Sequence, residues 1–175
     1  REAVLTERMA RLVEGVADSG VGYCVPRLFS RYCADRVLAL EYMDGLSVTD
    51  SRVASLSLSR RNALAMGMLE LFFYELYDWG CLQTDPNFGN YLLRLDDRRK
   101  SQGNDELVLL DFGSILDCSE GFLYHLRSTI DAGLREDVDG LGEGLIGLGC
   151  LPRNATSQAR QLFAEVPLAL AEVQE

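Results

Sequence analysis

Gln83-Thr84-Asp85-Pro86-Asn87-Phe88-Gly89-Asn90 and, further on, Leu107-Val108-Leu109-Leu110-Asp111-Phe112-Gly113 decide how this sequence folds. The first is a polar string behind Gly80 and reads as a loop. Tyr91 to Leu95 and Leu107 to Leu110 read as two strands, joined by the charged, glycine-containing turn Asp96 to Glu106. Both ends of such a hairpin return to one edge, so Asn90 and Asp111 are predicted side by side, with Asp85 in the loop just ahead. Two carboxylates and an amide are hard oxygen donors, the ligands that magnesium prefers.

Upstream, Ser59 to Trp79 predicts a long helix, apolar at Leu64, Met68, Leu71, Phe72, Leu76 and Trp79. Its apolar surface is too wide for one exposed side, so a central buried helix is expected. Leu5, Met9, Leu12, Val13 and Val16 form a helical stripe over Glu2 to Val16, stopped by Asp18-Ser-Gly-Val-Gly. Tyr23 to Phe29, broken by Pro26, suits an edge strand, and Arg36 to Met43 reads as a cleaner strand ending at Asp44-Gly45. Beyond Gly113, helices are expected near Glu120 to Leu134, Val138 to Leu148 and Thr156 to Glu172. The fold class is α+β: residues 1–44 as the end of a small lobe, then 45–175 as a larger, mainly helical lobe carrying the hairpin.

Composition narrows the function classes. The 175 residues carry a net charge of −10, which argues against a broad face for nucleic acid or anionic lipid. Five widely spaced cysteines, with no Cys-x-x-Cys pair, read as free thiols in a reducing compartment. The longest apolar stretch, Leu69 to Leu76, is interrupted by Glu70 and Glu75 and does not read as a membrane span. The amino end is charged in both signs and does not read as a leader, so the chain is expected to begin inside a domain.

Asp85, Asn90 five residues later, and Asp111-Phe-Gly after two strands stand in the order of the protein-kinase site. There a loop aspartate orients the attacking hydroxyl, while the asparagine and the second aspartate bind magnesium at the phosphates. Phosphoryl transfer needs positioning and charge neutralisation more than covalent help. The plain alternative is that Asp85-Pro86-Asn87 is a turn, with Asn90 and Asp111 capping strand ends.

The two stretches together resemble the UbiB (aarF-domain, or ADCK) atypical kinases, in which Asp-Pro replaces the usual opening of the catalytic loop. Arg1-Glu2-Ala3 is similar to the family's helix whose glutamate pairs with a strand lysine. Val25-Pro26 matches the strand after that helix, and Val37 to Gly45 the strand leading into the hinge. The resemblance covers nearly the whole chain, though after about Leu134 it rests on helical character and Leu148-Gly-Cys-Leu151.

The Gln-Thr-Asp-Pro-Asn form resembles the coenzyme Q branch of the family. That resemblance implies ATP and magnesium (Mg2+) as cofactors, ATPase activity, and a role in ubiquinone biosynthesis. It implies Asp85 as catalytic residue, Asn90 and Asp111 as metal ligands, backbone groups of Glu41, Tyr42 and Met43 as an adenine hinge, and Glu2 as ion-pair partner of a lysine. Expected partners are the nucleotide, other ubiquinone-biosynthesis proteins and a membrane surface, reached through parts outside this chain, with no nucleic acid. The implied location is the matrix side of the mitochondrial inner membrane in a eukaryote, or cytoplasmic or membrane-associated in a bacterium. The family's strand lysine, small-residue nucleotide loop and Lys-x-Gly-Gln segment have no counterpart here. Lys100 is the sole lysine and lies after the catalytic loop. The chain alone is therefore expected to be inactive.

Two other functions share parts of the pattern. A choline- or aminoglycoside-kinase type of small-molecule phosphotransferase has the same Asp-x4-Asn and later Asp, but usually a histidine ahead of the first aspartate. A nucleotide-binding pseudokinase scaffold would keep the site without turnover. Among weaker signals, Gly142-Glu-Gly-Leu-Ile-Gly147 follows no strand and reads as a close-packed or loosely formed helix, and His125 as an ordinary helix-surface or core residue. Asn154 or Thr156 reads as a cap for the last helix, and Arg52, Arg60 and Arg61 as a solvated helix start.

Overall fold

A computed structural model of the chain describes residues 1–16, 20–85, 87–96 and 105–163. The chain forms two compact units, Arg1–Leu116 and Asp117–Glu175.

The first unit opens with α1 (Glu2–Glu14), acidic in its first turn at Glu2 and basic in its last at Arg11, as the helix dipole favours. Thr6, Met9 and Val13, at helical spacing, are its buried face. β1 (Gly22–Cys24), β2 (Leu46–Ser47), β4 (Tyr91–Arg94) and β5 (Glu106–Leu109) make a four-stranded sheet in the order β1-β5-β4-β2. β4 and β5 pair antiparallel, Tyr91 opposite Leu109 and Arg94 opposite Glu106. β1 lies at one edge, parallel to β5, and Pro26 follows beyond its end, where a missing N–H costs no ladder bond. The short β3 (Cys81–Gln83) pairs with β6 (Ile115–Asp117).

Arg36 to Met43 does not form the predicted strand. Residues 27–41 fold as an irregular hairpin with single bridges, Leu28 opposite Leu40 and Ala34 opposite Val37. The Cys33 thiol takes the Ala39 N–H at 3.4 Å, so a side chain stands in for part of the ladder.

Asp50 caps the one-turn α2 (Ser51–Ala54), and Ser57 caps α3 (Leu58–Phe73) by accepting the Arg60 N–H. The predicted long helix changes pitch at its end. Tyr74–Trp79 is a π-helical turn, closed by Gly80 in the left-handed region at φ 64°. The helix is also less buried than its composition implies. Leu64, Gly67, Leu71 and Leu76 are covered, but Met66, Leu69, Phe72, Phe73 and Tyr77 are exposed. A wide apolar surface records what a helix carries, not what lies against it. Leu64 and Leu71 of the covered face join Met9, Val13, Leu93, Leu107 and Phe112 in one core.

Arg60 does not lie in a solvated patch. Its guanidinium grips the Asp105 carboxylate at both oxygens, 2.6 Å from Nε and 2.5 Å from Nη2, and also donates to the Asp96 carbonyl. Asp105, 3% exposed, takes the Asp96 N–H at 2.9 Å as well. Burial works to raise the Asp105 pKa, but the Arg60 and Asp96 hydrogen bonds outweigh it and hold the group below its usual value. Residues 97–104, with Lys100, lie outside the described residues.

In the second unit, Ser119 caps α4 (Glu120–Leu134) and Asp137 caps α5 (Val138–Gly147). Ala132 and Leu141 form its small core. The glycine pattern serves packing. A Cβ at Gly144 would overlap the Thr129 hydroxyl, and one at Gly147 the His125 ring. Residues 157–163 are helical, and Thr156 caps them by accepting the Ala159 N–H at 3.2 Å. The remainder of the expected last helix lies outside the described residues. All five cysteines are free thiols. No described helix is long and apolar enough to cross a membrane.

Candidate functional site

The β4–β5 hairpin and the β3–β6 pair converge on the loop from Thr84 to Asn90. Asn87 accepts the Gly89 N–H on its side chain at 2.8 Å and the Asn90 N–H on its carbonyl at 2.9 Å, folding Phe88–Asn90 into a 3-10 turn. That turn delivers Asn90 to the start of β4. The Leu110 N–H donates to the Asn90 carbonyl at 2.9 Å, so the residue next to Asp111 is paired with Asn90 itself. Asn90 reaches back with Nδ2 to the Asp85 carbonyl at 3.3 Å. Asp85, Asn90 and the start of Asp111-Phe-Gly are thus joined through backbone groups.

Phe112 is 2% exposed in the core, and its burial anchors Asp111 and Gly113 on either side. Asp111 Oδ1 accepts the Gly113 N–H at 2.7 Å. α1 arrives on the other side. Arg1 donates to the Ile115 carbonyl at 3.2 Å, and a Cβ at Gly113 would lie 3.9 Å from the Glu2 carboxylate. Glu2 therefore stands beside the Asp-Phe-Gly turn. Glu41, Tyr42 and Met43 are not brought into this cluster. The Glu41 carboxylate accepts the Arg27 N–H at 3.3 Å within the irregular hairpin, and Tyr42 is 91% exposed. They lead into β2, which pairs with β4 through Leu46 and Leu93, and so reach the sheet that starts at Asn90.

Two residues that the sequence did not mark as functional tie the cluster together. Gln83 donates from Nε2 to the Asp111 carbonyl at 2.8 Å and accepts the Asp85 N–H on Oε1 at 3.2 Å. Its own N–H donates to Glu75 Oε2 at 3.0 Å. Glu75 sits in the π-helical turn, 5% exposed. Burial pushes its pKa up to about 7, against the weaker opposing pull of the Gln83 N–H. Tyr91 is raised in turn by its own burial and then by the Glu75 and Asp85 carboxylates. The available signal was the carboxylate breaking the apolar run Leu69 to Leu76, since a charge inside such a run needs a local partner.

The donor chemistry suits a hard cation. Asn90 commits its amide nitrogen to Asp85, which leaves the amide oxygen as the group to offer a metal. Among the described residues no three His, Cys, Asp or Glu cluster to enclose a metal. Two carboxylates and an amide match magnesium, which keeps waters and takes phosphate oxygens instead of an all-protein cage.

The profile of the ABC1 atypical kinase-like domain matches residues 1–144. The chain belongs to this family. Among similar proteins, a probable serine/threonine-protein kinase, abkA, of Dictyostelium discoideum is 25% identical over 148 residues, 85% of this chain and 25% of that protein. The mitochondrial atypical kinase COQ8B of Danio rerio is 29% identical over 132 residues, 75% of this chain and 19% of the relative. A probable protein kinase UbiB of Xylella fastidiosa is 28% identical over 130 residues, 74% of this chain and 23% of the relative. The chain thus spans a quarter or less of the length of these relatives. The resemblance to the UbiB group holds, and the chain is a partial ABC1 domain with the mixed helix and sheet of the α+β class.

Proposed function

We propose that this chain is the carboxyl-terminal part of an atypical kinase-like ATPase that binds ATP with magnesium and supports ubiquinone biosynthesis. The observation that carries the proposal is the joining of this stretch by two hydrogen bonds: the Asn90 side-chain amide to the Asp85 carbonyl at 3.3 Å, and the backbone N–H of Leu110, next to Asp111, to the Asn90 carbonyl at 2.9 Å. Membership of the ABC1 family and relatives named as kinases, COQ8 and UbiB among them, support it.

On this reading Asp85 orients the attacking hydroxyl or water, and Asn90 and Asp111 hold the metal from the two ends of the β4–β5 hairpin. Magnesium, when bound there, supplies charge neutralisation at the phosphates. Residues 1–44 are the end of the small lobe and 45–175 the large one. The backbone of Glu41, Tyr42 and Met43 holds adenine, and Glu2, beside Gly113, pairs with a phosphate lysine from outside these 175 residues. The protein works at the matrix face of the mitochondrial inner membrane in a eukaryote, or in the cytoplasm or at the membrane of a bacterium, beside other ubiquinone-biosynthesis proteins.

The test is ATP binding by the full-length protein with and without magnesium. Wild type should bind only with the metal, and Asp111→Asn should lose about tenfold or more in affinity, as when a charge-assisted contact is removed. Equal binding by both proteins would refute the metal assignment, and ATP turnover that survives Asp85→Asn would refute the catalytic one. Quinone content of cells lacking the gene checks the pathway.

A further inference from the structure

Gln83 makes three bonds in the cluster, two through its side chain and one through its backbone. One planar carboxamide donates to the Asp111 carbonyl at 2.8 Å and accepts the Asp85 N–H at 3.2 Å, while the backbone N–H is fixed on Glu75 at 3.0 Å. Next along, Thr84 donates to the Ser114 carbonyl from both N, at 3.2 Å, and Oγ1, at 2.7 Å. The two residues ahead of Asp85 are thereby bonded to backbone on both flanks of Phe112-Gly113. The hairpin pairs Asn90 with Leu110, next to Asp111, and reaches Asp85 through the 3.3 Å bond from Asn90 Nδ2 to the Asp85 carbonyl; Gln83 is what ties Asp85 to Asp111 itself. Asp85 is exposed in a loop, and its backbone N–H is held by Gln83.

We propose that Gln83 is a positioning residue: it sets the separation of the loop aspartate, Asp85, from the strand-end aspartate, Asp111, by bridging their backbones with one side chain. This rests on the proposed phosphoryl-transfer reading and adds to it a residue that touches neither nucleotide nor metal. The chemistry selects the residue type. The bridge needs a donor and an acceptor on one rigid group. Ionised glutamate has no donor, leucine has neither, and asparagine is one methylene short. A neutral histidine has one nitrogen of each kind at similar reach. The bridge belongs to Gln83 rather than to Glu75, whose carboxylate meets the Gln83 backbone and fixes where the bridge starts.

The expected kinetic signature separates positioning from binding. An error of about 1 Å between reacting groups costs on the order of a hundredfold in rate. Gln83→Leu should therefore lower kcat of the full-length ATPase by about ten- to a hundredfold and raise the magnesium concentration for half-maximal rate, with KM for ATP within about threefold of wild type. Gln83→His should recover most of the lost rate near neutral pH.

Hydrogen exchange on the same proteins without nucleotide gives a readout independent of turnover. Gln83→Leu should speed exchange in the segments 84–90 and 110–115 together, while β1 keeps its protection. If wild type hydrolyses no ATP, the functional reading falls, and the exchange experiment still decides the bridge. If wild type is active, two results overturn the proposal: Gln83→Leu within twofold of wild type in kcat and magnesium dependence, or exchange changed in one segment alone. A Gln83→His rate as low as that of Gln83→Leu also overturns it.

Discussion

Replacing Glu75 by glutamine should remove a specific component of the protein's pH-dependent stability. Glu75 is 5% exposed, and burial lifts its pKa from an ordinary 4.5 to about 7. The folded chain therefore keeps a proton that the unfolded chain has released between those two values. The stability contributed by the protonated acid is complete below about pH 4.5 and is lost as pH rises through about 7. At 1.36 kcal/mol per unit, this difference is worth about 3 kcal/mol. Glutamine keeps an oxygen for the Gln83 N–H and cannot ionise. Urea unfolding should be measured from pH 4.5 to 8 in EDTA without nucleotide, followed by the fluorescence of Trp79, which stacks on Tyr74 in the same turn. Other carboxylates titrate in both proteins, so the useful quantity is wild-type stability minus that of Glu75→Gln. That difference should fall by about 3 kcal/mol across the range, with glutamine gaining on wild type towards pH 8. A difference that stays flat to within about 0.5 kcal/mol would show that Glu75 finds solvent or a cation, and the account of its burial would be wrong.

Arg60→Ala leaves the buried Asp105 carboxylate without its bidentate partner and should cost about 3–5 kcal/mol in urea unfolding, whereas Arg61→Ala, at an exposed position, should cost under about 0.5 kcal/mol. Because the Asp105 pKa is lowered on folding, its contribution is present above the ordinary aspartate range and is lost as pH falls through the depressed value; Asp105→Asn should blunt that acid-side loss. Gly147→Ala drives a methyl group into the His125 ring and should destabilise the α4–α5 unit by about 1–3 kcal/mol, read by thermal unfolding. Gly121→Ala, at a helical position where a Cβ meets nothing within 4 Å, should instead be neutral or stabilise by about 0.5–1 kcal/mol. Asp111→Asn should also lose magnesium-dependent ATP binding in the full-length protein.

Elements whose ends are written in local chemistry were legible in the sequence. Gly80 stopped the long helix, the apolar spacing over Glu120 to Leu134 marked α4, and short apolar runs either side of a charged turn marked β4 and β5. That Gly142 to Gly147 belongs to a helix and not to a phosphate loop was legible too, since no strand precedes it, whereas the neighbours behind Gly144 and Gly147 were not. What depends on distant partners was not. Nothing local in Gly22–Cys24 names β5 as its neighbour, and strands as short as β2, β3 and β6 carry no period to detect. The pitch change at Tyr74 and the exposure of Phe72 and Phe73 are set by packing. In the candidate site, the pairing of Asn90 with the strand that leads into Asp111 followed from the hairpin. The bridge made by Gln83 did not, because its partners are backbone atoms of Asp85 and Asp111, and a loop glutamine reveals only that it can bond, not to what.

The parallel pairing of β1 with β5 also orders events in time. Gly22 meets Glu106, so on a ribosome the first strand of the sheet is made about eighty residues before the strand that completes it. Until then an edge that includes Tyr23 and Cys24 stands open beside α1, and closing so long a loop is slow. Nascent chains of this protein should therefore depend on chaperones most while Cys24 has emerged and Val108 has not. Substitutions in β5 that leave the finished protein sound can still lower its yield.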